Sequence, residues 1–67
     1  NTIVIHGHTP TISRECTSKG ALSGKIWYNY CDINIDCGLV YRRNTKYKEA
    51  NLATIRLEDL EEFYLYP

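Results

Sequence analysis

Apolar and polar positions alternate most regularly between Cys31 and Cys37. Cys31, Ile33, Ile35 and Cys37 fall on one face of an extended chain, and Asp32, Asn34 and Asp36 on the other. The run before it, Lys25-Ile26-Trp27-Tyr28-Asn29-Tyr30, is aromatic and β-prone, and Asn29 to Asp32 offers a turn. Residues 25–30 and 32–37 therefore read as a hairpin, which Gly38 ends. Leu52–Leu57 and Glu62–Tyr66 read as a second hairpin around the acidic Glu58-Asp59-Leu60-Glu61, although Leu57 to Glu62 also fits one helical turn. Both of these strands carry apolar residues on both faces. That pattern predicts a sheet covered on each side.

Elsewhere the pattern is shorter. Ile3-Val4-Ile5 is a β-branched run too short for a helix and predicts a buried strand. Gly7 lets the backbone turn after it, and Pro10 stops any ladder. Two histidines, His6 and His8, stand at this break. Thr11 to Gly24 has no periodicity and reads as a loop, longer than is usual inside a compact domain. Tyr41 to Asn51 carries Arg42, Arg43, Lys46 and Lys48 against Glu49 alone. Such a basic run is ordinarily a solvated loop, with Arg42 and Arg43 the candidates to face a phosphate.

At 67 residues the chain is one domain at most. A domain this small buries only about 60% of its unfolded surface, so its core is thin. The chain opens at Asn1 without an initiator methionine and is expected to be a piece of a longer protein. Zero formal charge gives no global field for nucleic acid or an anionic membrane. No apolar stretch approaches the roughly 20 residues of a membrane span. Three cysteines without Cys-x-x-Cys spacing point to reduced thiols and a cytoplasmic setting rather than a disulfide scaffold. With His6 and His8 they offer a zinc-stapled mini-domain as a minor reading, though the spacings match no zinc module.

Gly7-His8-Thr9-Pro10 at a strand end, followed by Ile33-Asn34-Ile35-Asp36-Cys37-Gly38, resembles the C-terminal end of the calcineurin-like metallophosphoesterases. Asn51 to Asp59 and Glu61 to Tyr64 look like the closing strands of the same family, in the same order. The resemblance leaves 11–24 and 39–50 unmatched. It implies the α/β family fold, a two-sheet αββα metallophosphoesterase sandwich. Residues 1–67 would be the mostly antiparallel β C-terminal segment of its single domain. It implies two divalent ions, Mn, Fe or Zn, about 4 Å apart, that bind a phosphate and generate hydroxide for in-line attack.

In the family, the histidine matching His8 is a ligand of one metal. His6 and Asp36 are then the candidates for support behind it, His6 by packing and Asp36 by fixing an imidazole tautomer. Capping the turn at Gly38 is the competing role for Asp36. The family's other ligands lie in Asp-x-His, Gly-Asp-x-x-Asp and Gly-Asn-His motifs, none of which occurs in these residues. Many members carry Gly-His-x-His, and here Pro10 replaces the second histidine. That departure resembles the serine/threonine protein phosphatase branch more than the nuclease and phosphodiesterase branches, and the diadenosine-tetraphosphatase relatives are less well matched. The implied activity is hydrolysis of phosphate monoesters by the longer parent. The 67-residue chain is expected to be inactive, to hold no metal tightly and to contribute no catalytic residue of its own. The competing class is a non-catalytic β-rich binding or assembly module that self-associates through exposed strand edges.

Overall fold

Side chains with two different spacings of polarity sort this chain into two small sheets with few helical residues between them. The computed structural model describes residues 2–44 and 46–66. The first sheet has strands β1 (Val4–His6), β2 (Trp27–Asn29) and β3 (Asp32–Asn34), in the order β1-β3-β2. Strands β2 and β3 form the expected hairpin, with Trp27 opposite Asn34 and Asn29 opposite Asp32. Tyr30 makes its turn at φ 55, with its ring wholly in solvent. Strand β1 lies parallel to β3, with Ile5 opposite Ile33 and His6 opposite Asn34. The second sheet is the hairpin of β4 (Leu52–Arg56) and β5 (Glu61–Leu65). Its turn, residues 57–60, is closed by Leu60 N–H donating to Arg56 O at 2.7 Å, and Glu61 and Glu62 already belong to β5, so the hairpin reading holds over the helical turn.

Directly opposed residues share a face, so the first sheet has two chemically distinct sides. Ile33, on one side, joins Ile26, Cys37 and Ala53 in the core, with Ile35, Ile55 and Tyr64 packed against them. The β4–β5 hairpin covers this side. Glu62 ties the two layers, accepting hydrogen bonds from Tyr28 Oη at 2.7 Å and from Tyr64 Oη. Tyr64 Oη accepts in turn from Ile26 N–H at 3.0 Å. The Glu62 hydrogen bond, with smaller help from burial, pushes Tyr28 up to about 12. Burial first, and Glu62 second, push Tyr64 above its ordinary value. A raised folded-state pKa means that this stabilisation is complete below the ordinary value and is lost as pH rises through about 12. In Glu62→Ala, the Tyr28 phenolate should form close to pH 10.0, read by absorbance titration. An unchanged tyrosine titration would break the proposed tie.

Several expectations change. Ile3, Val4 and Ile5 are exposed, because β1 is a sheet edge. Strand β3 ends at Asn34 rather than Cys37: Ile35 N–H still bonds β1, but beyond it side chains take over from the ladder. Asp36 N–H donates to Asn34 Oδ1 at 2.9 Å, and Gly38 N–H to Asp36 Oδ1 at 3.1 Å. Cys31 is exposed at the turn instead of sharing the buried face. The stretch 11–24 is not only loop. Ser13 Oγ accepts from Cys16 N–H at 3.3 Å and caps a short helix α1 (Arg14–Thr17). Thr11, Ile12, Cys16 and Ala21 within that stretch are buried. The β4–β5 hairpin is covered on one face only. Ala53 is buried and Ile55 and Tyr64 half-buried, while Leu52, Phe63 and Leu65 on the other face are exposed. Between Tyr41 and Lys48 the described residues are mostly exposed, and Thr45 lies outside them.

Candidate functional site

Parallel pairing of β1 with β3 brings their C-terminal ends side by side. The ladder runs on past the strands through Ile35 N–H donating to His6 O at 3.0 Å. Thr11 N–H then donates to Asp36 O at 2.7 Å. Gly7 lies against Asp36, and a Cβ at Gly7 would stand 3.5 Å from Asp36 Cβ. His8, and not Gly7, takes the left-handed backbone at this corner, with φ 87. A β-carbon in that region costs about 1–2 kcal/mol, so the surrounding hydrogen bonds hold His8 there against its preference. Its imidazole is exposed and makes no hydrogen bond or ion pair among the described residues.

His6 points elsewhere. Its Nε2 lies 3.4 Å from Asp32 Oδ1, both side chains being partly open to solvent, and its Nδ1 lies 3.4 Å from Gly7 O. Asp36 caps the turn: Oδ1 accepts from Gly38 N–H, and no hydrogen bond joins it to either imidazole among the described residues. Arg42 and Arg43 border a different cavity with Leu39 and Val40 that neither histidine lines. The Arg42 guanidinium sits 5.8 Å from the centre of the Tyr66 ring. Burial pushes the Cys37 thiol above its ordinary value, which makes it a poor nucleophile. No group of three or more His, Cys, Asp or Glu that could hold a metal occurs among the described residues. These residues therefore do not by themselves fit a dinuclear centre.

The largest surprise lies on the polar side of the first sheet. His6, Trp27, Asn29, Asp32 and Asn34 share it, and α1 covers only part of it through Cys16. Asn34 is 2% exposed. It donates from Nδ2 to Thr9 O at 2.8 Å and lies 3.9 Å from Cys16 Sγ. The remainder is a cleft of about 220 Å³, reached by Glu15 and Lys19 from the α1 side. In the sequence Trp27 reads only as part of a β-prone run, Asn29 as the start of a turn, Asn34 as one polar position of a strand, and Glu15 and Lys19 as loop. The period-two spacing of Trp27 with Asn29, and of Asp32 with Asn34, was the signal.

No helix among the described residues is long and apolar enough to cross a membrane. Comparison with protein-family models, with curated proteins and with solved structures found no match to this chain.

Proposed function

We propose that this chain is the C-terminal part of a two-metal phosphoesterase of the calcineurin-like kind, nearest its serine/threonine protein phosphatase branch. The parent would be a cytoplasmic hydrolase of phosphate monoesters, and His8 would be the one metal ligand the chain supplies. One observation carries the reading. The two motifs behind the resemblance, Gly7-His8-Thr9-Pro10 and Ile35-Asp36-Cys37-Gly38, lie at the same end of a parallel strand pair. Crevices at the carboxyl ends of parallel strands are a common place for ligands. The exposed, left-handed His8 is presented at that end.

One imidazole cannot hold two ions, so the isolated chain should not hydrolyse p-nitrophenyl phosphate with manganese. Turnover that survives repurification and disappears in His8→Ala would sink the inactivity claim. The parentage itself is tested on the gene. The codons before Asn1 should encode Asp-x-His, Gly-Asp-x-x-Asp and Gly-Asn-His in that order. A reading frame without them removes the phosphoesterase reading. The second reading, a non-catalytic assembly module, draws on the exposed β1 edge and the bare face of Leu52, Phe63 and Leu65. Light scattering that finds only monomer would count against it.

A further inference from the structure

The cleft beside α1 is unlike an ordinary solvated sheet face. A helix normally packs on a sheet through apolar side chains, yet the sheet side beneath α1 presents His6, Trp27, Asn29, Asp32 and Asn34. Polar groups partly covered by another element carry a desolvation cost unless something else engages them. Asn34 is engaged by Thr9 and Asp36, and Asp32 by His6. The half-buried Trp27 indole N–H and Asn29 amide, and the exposed Glu15 carboxylate and Lys19 ammonium, make no side-chain hydrogen bond or ion pair among the described residues and stand open to whatever enters the cleft. These four groups come from two walls, β2 on one side and α1 with its following turn on the other. They surround one half-buried indole.

We propose that this cleft binds a neutral, hydroxyl-rich ring the size of one monosaccharide. Its volume, about 220 Å³, lies below the roughly 300 Å³ at which drug-sized sites begin, so a single ring fills it. Charge selects a neutral ligand. Glu15 balances the ammonium of Lys19 and Asp32 lies beside His6, so the cleft holds no excess of cations to draw in a phosphate or carboxylate. Geometry selects hydroxyls over a flat heterocycle. A base presents its polar atoms along one edge, whereas hydroxyls radiate around a ring and meet donors and acceptors on both walls. The apolar C–H face of such a ring lies against Trp27, whose large amphipathic side chain suits a contact that is apolar in the middle and wet at the rim. The proposal is independent of the phosphoesterase reading.

Trp27 is the only tryptophan in the chain, so its fluorescence reports this cleft alone. Titration with glucose, galactose, mannose and N-acetylglucosamine should give a saturable change with at least one of them, in the millimolar range expected of a single small ring. Asn29→Ala and Glu15→Gln, with unchanged circular dichroism, should each weaken it by about tenfold, or about 1.4 kcal/mol. Three results overturn the proposal: no saturable change with any sugar, an undiminished change in both variants, or saturation by adenosine or cytidine alone. The last would make the occupant a planar base.

Discussion

Gly24→Ala should abolish the cooperative unfolding transition of this chain, as followed by circular dichroism against urea or temperature. Gly24 has φ +76, where an added β-carbon costs about 1–2 kcal/mol in any protein. Here that carbon would also overlap Glu49 O and stand 3.0 Å from Glu49 C, both backbone atoms. Neither side can yield easily, because Asn51 clamps them together. Its Nδ2 donates to Gly24 O and to Glu49 O, each at 2.8 Å, from a side chain that is 1% exposed. Relieving the overlap breaks that clamp and adds about 1–3 kcal/mol of overpacking. The total is about 2–5 kcal/mol, enough to exhaust the lower end of the roughly 3–10 kcal/mol of stability of a domain of this size. Gly20→Ala is the matched control. Gly20 has φ +111 but nothing within 4 Å of the new carbon, so only the backbone strain remains. Equal losses in the two variants would mean that Gly24 and Glu49 do not meet.

The thinness of the core makes this chain sensitive to such changes. Among the described residues the buried apolar ones are three isoleucines, two cysteines and three alanines, while Phe63 and every leucine are exposed. Each buried isoleucine contributes about 1.5–3 kcal/mol, and alanines contribute little. Backbone and polar clamps at Asn34 and Asn51 therefore carry a larger share of the fold than in a domain with a full core.

The two hairpins were legible because their signals are local. Alternation through Cys31–Cys37 places Ile33 inward, and acidic turn residues separate β4 from β5 within a few positions. The parallel pairing of β1 with β3 leaves no such mark, since its partners are 28 residues apart in the register of Ile5 with Ile33. Without that pairing, Ile3 to Ile5 reads as buried simply because it is apolar. Helix α1 escaped because four residues show no period, although Ser13 before Arg14-Glu15 carried a capping signal. At the histidine corner the glycine drew attention to itself. Gly7 was assigned the turn, yet it is His8 that takes the positive φ. The strain is set by the hydrogen bonds of Thr9 and Thr11, and those depend on a strand far along the chain. His8 as a candidate came from its motif, and its neighbours came only from the fold.

Asn34→Asp should be the second most damaging change, and its cost should depend on pH. The side chain keeps its size, and one oxygen still accepts from Asp36 N–H. The other replaces Nδ2 and faces Thr9 O at 2.8 Å, so an attraction becomes a repulsion between two acceptors. The carbonyl keeps only the weak Cys16 Sγ–H donor at 3.6 Å; losing the amide donor costs about 1–3 kcal/mol, and burying a charge adds to it. Burial and the neighbouring Asp32 and Asp36 would raise the new carboxyl's pKa in the folded state. A raised folded-state value means the penalty is smallest below the unfolded pKa and grows as pH rises through the folded one. In its protonated form the carboxyl regains an O–H donor for Thr9. Urea midpoints should therefore differ from the parent chain far more at neutral pH than near pH 4, and equal deficits at both would refute the assignment. Because Thr9 follows His8 directly, loss of its anchor should also free His8 from φ 87. The His8 imidazole resonances should then shift in the variant under conditions where it still folds. A single buried amide would thus hold both the histidine corner and the floor of the Trp27 cleft.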